Sequence, residues 1–188
     1  MFTVEHLLSA LYALNIDNCI IEMDSPEPPV GDGSAKTFVD MVEEAGIEEQ
    51  DEEIPVLTLD RSVAIYEGKK FITALPYDGL RITFTSINPH PLLGTQMVDI
   101  VIDHDSYMKE IASARTIGFT WELEAMRKMG LGKGGTLENA VVYSETECLS
   151  VPRFKDDWYA TRFWTFWAIF PSSDRSMPIS SPSWEVTS

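Results

Sequence analysis

Between Glu43 and Glu53 seven of eleven residues are acidic, and this run constrains the fold more than any other stretch. Carboxylates at that density repel one another and cannot leave water without partners, so the run belongs on the surface. The core has to come from the segments on either side. A boundary near residue 50 follows, with a first module over 1–50 and a second over 51–157. A chain of 188 residues is long enough to bury one medium core or two small ones.

The whole chain is acidic. Lys and Arg total 14 against 30 Asp and Glu, a formal charge of -16. Such a chain repels a phosphate backbone, so no nucleic-acid partner and no polybasic membrane attachment are expected. No stretch reaches the roughly 18 apolar residues that cross a bilayer, and no basic, apolar leader opens the sequence. Cys19 and Cys148 are too few for a disulfide framework or a Cys-based zinc site, which points to a reducing, cytoplasmic location.

Val4, Leu7, Leu8 and Leu11 follow the i, i+3, i+4, i+7 rule, so the chain opens with an amphipathic helix for which Thr3 is the expected N-cap. A turn at Asn15 to Asn18, an alternating strand from Cys19 to Met23 and a Pro-rich loop come next. Gly31-Asp32-Gly33-Ser34 then opens a second helix, about Ala35 to Ala45. Past the acidic run, strands are expected at Val56 to Ile65, Lys70 to Leu75, Leu80 to Ile87, Met97 to Ile102 and Asn139 to Tyr143. Helices are expected over Ser106 to Ser113 and Glu122 to Met129. Strands and helices without a strict βαβ rhythm indicate an α+β fold.

Glu5-His6 stands in the first turn of the opening helix. Adjacent helical side chains point about 100° apart, so His6 can ligate a metal while Glu5 addresses a water bound to it; the plain alternative is a surface or capping role. One turn on, Ser9, Ala10 and Ala13 are all small and leave room for a close neighbour or a cavity. His90 and His104 read as solvated loop residues, and no HxxxH or CxxC spacing occurs. Gly130-Leu131-Gly132-Lys133-Gly134-Gly135-Thr136 is either a tight turn or a loop whose N–H groups and Lys133 face an anion. Its spacing is wrong for a P-loop, which makes a nucleotidase a remote third reading.

The combination is more specific than its members. Thr3-Val4-Glu5-His6-Leu7-Leu8-Ser9-Ala10-Leu11, Asn15-Ile16-Asp17-Asn18, Asp32-Gly33-Ser34-Ala35, His90-Pro91, Ala114-Arg115-Thr116-Ile117-Gly118-Phe119 and Gly134-Gly135-Thr136-Leu137-Glu138-Asn139-Ala140 occur in one order. That series resembles the UDP-3-O-acyl-N-acetylglucosamine deacetylases, zinc amidases that commit a cell to lipid A synthesis, over about residues 2–157.

The resemblance implies two similar two-layer α+β domains forming a β-α-α-β sandwich, here incomplete at both ends, because the family's first domain normally begins earlier. It implies Zn2+ as cofactor, His6 as a zinc ligand and Glu5 as the general base that takes a proton from the zinc-bound water. Thr116 matches a threonine near the oxyanion, and Ile117 replaces a Phe that contacts the substrate ring. Asp32 would orient a metal ligand. Residues of about 118–135 correspond to the insert that forms the acyl passage, with Leu123, Met126, Met129 and Lys133 as substrate contacts; helical spacing alone would place the three apolar ones in a core. The substrate would be UDP-3-O-acyl-N-acetylglucosamine, whose acyl chain brings the protein transiently near a membrane.

The departure comes after Asp157. The family continues there with an Arg/Lys-His-Lys helix whose His and a following Asp complete the zinc site, and later with a Gly-His that supplies a second acid/base. This chain has no His beyond His104. Trp158 to Ser188 instead holds four of the five Trp and only four charged residues, fits neither structural period, and is expected to be disordered.

The genetic code offers a reason. Suppose one base is lost near codon 157, and read the later codons one base earlier. Asp157-Trp158 and Trp158-Tyr159 then force Leu-Val, Phe163-Trp164-Thr165 forces Leu-Asp, and Phe166-Trp167-Ala168 forces Leu-Gly. Ala160-Thr161 permits His at the required place, and Trp184-Glu185-Val186-Thr187 permits Gly-Gly-His. The tail therefore reads as a frameshifted family C-terminus, and a chain bearing it is expected to be inactive. The rival of a different class is a non-catalytic α+β module, a degenerate relative that binds a nucleotide-sugar or a protein.

Overall fold

A computed structural model of the chain describes residues 3–54, 58–68, 70–130, 134–151 and 153. The expected tail over 158–188 lies outside them, as does Lys133. The architecture is mixed α and β with small sheets, in the order α1 (Glu5–Ala13), α2 (Lys36–Ala45), β1 (Val63–Glu67), β2 (Lys70–Ala74), β3 (Leu80–Ile87), β4 (Thr95–Ile102), α3 (His104–Glu110), β5 (Thr116–Phe119), α4 (Thr120–Lys128) and β6 (Ala140–Tyr143).

The main core forms where three helices meet one face of the β3–β4 sheet. Along β3 and β4 side chains alternate between solvent and interior, as the period of 2 requires. Ile82 is buried, and Leu80, Phe84, Val98, Ile100 and Ile102 pack beside it against Ala10 and Leu14 of the α1 end, Phe38 and Val39 of α2, and Tyr107 and Ile111 of the α3 end. Residues from both sides of the acidic run thus share one cluster. On the solvent face Asp99 accepts from Arg81 Nε at 3.0 Å and from Thr83 Oγ1 at 2.8 Å, which ties the two strands together across their register.

The first helix does not start as expected. Thr3 has φ +56 and does not cap; its hydroxyl donates to Glu27 instead, and Val4 takes the N-cap position without a side-chain bond. α3 starts earlier than its apolar pattern suggests because Asp103 and Ser106 form a reciprocal capping box. No strand forms over Cys19 to Met23, since alternation fits a strand but a ladder partner makes one, and none pairs with it among the described residues. Of the strand expected over Val56 to Ile65, the described part is extended in a ladder from Val63, where β2 supplies partners from Ala74 to Lys70.

That β1–β2 hairpin carries apolar side chains on both faces. Ile65, Tyr66 and Phe71 are all exposed, with Tyr66 stacked on Phe71 at 6.1 Å. β5 and β6 run parallel and are joined through α4, the crossover that parallel strands need. Leu93, Phe119, Val141 and Tyr143 form a second small cluster there.

The loop at 31–34 meets segments that lie far along the chain. Gly33 has φ +84, and a Cβ built on it would collide with the carbonyl oxygen of Asn139. Lys36 N–H donates to Ala112 O at 2.8 Å, and Thr116 N–H donates to Gly33 O at 3.4 Å. Gly33→Ala is therefore expected to lower the unfolding free energy by about 3 kcal/mol, since strain at positive φ adds to overpacking. Gly94→Ala, at φ +55 with open space around it, should cost about 1 kcal/mol. Urea unfolding of both variants checks this, and equal losses would show that the approach to Asn139 is not what requires glycine.

Candidate active site

The start of α1 meets the start of β5. His6 is 7% exposed, and its Nε2 shares a 2.8 Å hydrogen bond with Thr116 Oγ1, 110 positions along the chain. Glu5, next to it in the first helical turn, is half-buried, and Thr116 itself faces solvent. The pair thus sits at an opening rather than inside the core.

Burial lowers the pKa of His6 from 6.5 to about 4, and the charge of Asp32 opposes that shift without cancelling it. A neutral imidazole is the form that accepts a metal. The small residues following His6 resolve as room for a close neighbour. Ser9 and Ala10 are fully buried, and Ser9 Oγ lies 3.0 Å from the hydroxyl of Tyr107 on α3.

Asp32 is a hub of the loop beneath the site. Its Oδ1 accepts from Ser34 N at 3.0 Å and from the hydroxyls of Ser34 and Thr37 at 2.8 Å each, while Arg153 Nη1 donates to Oδ2 at 2.7 Å. Burial pushes this carboxyl up, but those hydrogen bonds and the Arg153 charge outweigh it and hold the pKa at about 2. Arg153 also donates to Asp32 O at 2.9 Å and to Ser113 O at 3.1 Å, three residues before Thr116. Arg115, 3% exposed, donates to Glu138 O at 2.9 Å and to Val151 O at 2.6 Å. Neither arginine stood out by spacing, because each recognises carbonyl oxygens far along the chain.

The remaining expected residues are spread out. In the glycine-rich loop Asn139 Oδ1 accepts from Thr136 N at 2.7 Å, and Thr136 Oγ1 accepts from the N–H groups of Glu138 and Asn139. Those three donors serve the turn itself. On α4 Leu123 is half-buried and the side chain of Met126 lies outside the described residues, while Met129, just past the helix end, is exposed.

His90 corrects its reading as a solvated loop residue. It is 5% exposed, and Leu92 N–H donates to its Nδ1 at 3.2 Å, so Nε2 carries the proton and donates to Ser144 O at 2.7 Å. Phe119, Trp121 and Tyr143 surround its ring at 5.2 to 6.3 Å. His104 is exposed at the start of α3, 3.5 Å from Glu43.

The sequence profile of LpxC, UDP-3-O-acyl N-acetylglycosamine deacetylase, matches residues 1–160. The chain belongs to this deacetylase family. It is 44% identical over 140 residues to the UDP-3-O-acyl-N-acetylglucosamine deacetylase of Bdellovibrio bacteriovorus, covering 74% of this chain and 46% of that protein. The enzyme of the same name from Campylobacter lari is 43% identical over 157 residues, 82% of this chain and 53% of the relative. That from Acidithiobacillus ferrooxidans is 41% identical over 150 residues, 79% and 49%. The chain spans about half the length of these curated relatives.

The deacetylase family depends on zinc. A catalytic zinc takes three protein ligands and leaves one position open. Among the described residues no group of three or more His, Cys, Asp or Glu is placed to hold a metal, and both oxygens of Asp32 are already engaged. Neutral His6 has the donor chemistry that zinc takes, with Nε2 on Thr116, but the described residues do not assemble a site around it.

Burial of neutral His6 has a consequence for stability. Folded His6 titrates near 4 and an ordinary His near 6.5, so between those values the unfolded chain binds more protons. Stability is full above about pH 6.5 and falls on acidification toward pH 4, by on the order of 3 kcal/mol. The contribution of Asp32 is lost only below its ordinary 3.8, a separate window. His6→Gln should flatten the stability slope between about pH 4 and pH 6.5 in urea unfolding. An unchanged slope would assign the effect to another group.

Proposed function

We propose that the chemistry of this chain is that of its family: hydrolysis of the acetamide of UDP-3-O-acyl-N-acetylglucosamine to the free amine and acetate, the committed step of lipid A biosynthesis. The observation that carries this reading is the contact of His6, which follows Glu5, with Thr116 inside the region that matches the family profile. In it Glu5 is the general base, taking a proton from the attacking water and returning one to the leaving amine. The Thr116 hydroxyl stands where an oxygen of the acetamide gains negative charge, and its place beside neutral His6 keeps it oriented. Asp32 acts at a distance, fixing the loop that receives β5. Leu123, Met126, Met129 and Lys133 are proposed as contacts to the acyl chain and the polar head of the substrate. The cytoplasm is the proposed compartment, with membrane proximity through that acyl chain alone; no helix among the described residues is long and apolar enough to cross a membrane.

The 188-residue chain is not expected to carry out this reaction by itself: His6 is the one zinc ligand that the family pattern assigns within it, and no group of three or more His, Cys, Asp or Glu is placed to hold a metal among the described residues. Residues 158–188 are read as a frameshifted translation, and the family match ends at residue 160. The domain division at residue 50 and the acyl insert at 118–135 belong to the same proposal. The rival reading, a non-catalytic binding module, is favoured if the tail proves to be genuine and is selectively bound by a partner.

A single comparison separates the two. Resequencing the coding DNA past the codon of Arg153 gives the frame, and the product of a corrected frame, upstream codons included, is assayed beside the present chain. The corrected product is expected to hold about one zinc and to deacetylate substrate. Glu5→Gln in it should keep the zinc and lose roughly 100- to 10,000-fold in kcat, the usual contribution of a positioned base. The 188-residue chain should do neither. Stoichiometric zinc with turnover in the short chain, or indifference to Glu5→Gln, would overturn the proposal, and a frame that stands as written would favour the module.

A further inference from the structure

We infer that the buried hydroxyl pair of Ser9 and Tyr107 is a positioning device for the candidate site: it sets the rotation of α1 about its own axis, and so whether His6 meets Thr116. The inference rests on reading His6 and Thr116 as site residues, but its test needs no turnover.

α1 also packs on the core through Leu7, Tyr12 and Ala13, but these are only partly buried. It is nine residues long, a length at which a helix gains little stability from its own hydrogen bonds, and no side chain caps its N-terminus. Its fully buried residues are Ser9 and Ala10, too small to form ridges that lock into grooves. Apolar burial is non-directional, so such a surface resists removal from the core better than it resists turning. The site tolerates little turning. At a helix surface about 5 to 6 Å from the axis, a rotation of about 20° moves a side-chain atom by about 2 Å, enough to break the His6–Thr116 contact.

A hydrogen bond supplies the missing direction. Ser9 lies three residues beyond His6, on the same side of the helix one turn along. Its Oγ is 3.0 Å from Tyr107 Oη, and the two residues are 0% and 1% exposed. If α1 turns, both hydroxyls lose this partner away from water, which a buried polar group does not do cheaply. Tyr107 is also a fixed reference. It sits on α3, whose start is held by the Asp103–Ser106 capping box and whose end receives Lys36 N–H at Ala112 O.

Side-chain 15N NMR of the imidazoles in the 188-residue chain at neutral pH tests this. The chain has three His, and His6→Gln identifies the signal of His6. In the parent chain His6 is expected in one fixed tautomer. Tyr107→Phe, which keeps the ring and removes the hydroxyl, should move both ring nitrogens toward the tautomer-averaged position by more than a linewidth. Ser9→Ala should do the same, and the double variant should shift no further than either single one. Ile82→Ala lowers stability from the β3 side of the core and should leave the signal in place. The inference is overturned if Tyr107→Phe leaves the His6 signal unmoved, or if Ile82→Ala moves it as much. Failure of the deacetylase reading appears elsewhere, as indifference to Glu5→Gln with the His6 signal still responding to Tyr107→Phe.

Discussion

The loop at 31–34 can lie against the start of β6 because Gly33 has no side chain. Its backbone lies against the carbonyl of Asn139 at a separation that no Cβ would permit, and its own carbonyl receives the first amide of β5. This contact places Thr116 within reach of a helix that begins more than a hundred positions earlier. Asp32 stabilises the loop from within through Ser34 and Thr37, and Arg153 fastens it from outside. The acidic run from Glu43 to Glu53 then stays on the surface, where its self-repulsion costs least.

The parts of the fold legible in the sequence are those decided by short-range pattern. β3 is found over Leu80–Ile87 as its alternation indicates, and α1, α2 and α4 follow their apolar spacing to within a few residues at either end. What could not be read depends on partners remote in sequence. Cys19 to Met23 alternates like a strand, yet an edge for it to pair with is not encoded locally. Thr3 has the right chemistry for a cap, but the backbone there turns to positive φ and its hydroxyl serves Glu27. His90 looked solvated because nothing near it in sequence shows that Phe119, Trp121 and Tyr143 close over it.

The candidate site shows the same division. Glu5-His6 is a local signal, and the structure leaves it at the start of a helix with His6 buried and neutral. Whether that pair belongs to a metal centre is a question about several segments at once. Within the described residues the answer is partial. One imidazole is presented in the neutral form, while Asp32, the carboxylate whose charge acts on it, spends both oxygens on the loop and on Arg153. An ion held by one imidazole would gain too little to displace its water and order the ligand, because metal affinity comes from several deprotonated groups acting together.

The motifs that carry the family resemblance are scattered over the sequence but converge in space. Glu5-His6 reaches Ala114-Arg115-Thr116 through the His6–Thr116 bond; Thr116 reaches Asp32-Gly33-Ser34 through its amide; Gly33 abuts Asn139; and Arg115 grips Glu138 O. Each link uses a property that few residues share: a missing Cβ, a hydroxyl at a strand start, a guanidinium that spans two carbonyls. Apolar core positions such as Ile82 or Val39 can exchange with residues of similar volume at small cost. The linked positions cannot, since changing one leaves a buried polar partner unsatisfied or a backbone in collision. The order of a few short motifs thus carries the family resemblance because each motif takes part in this hydrogen-bonded unit, whereas composition and periodicity speak only for the fold class.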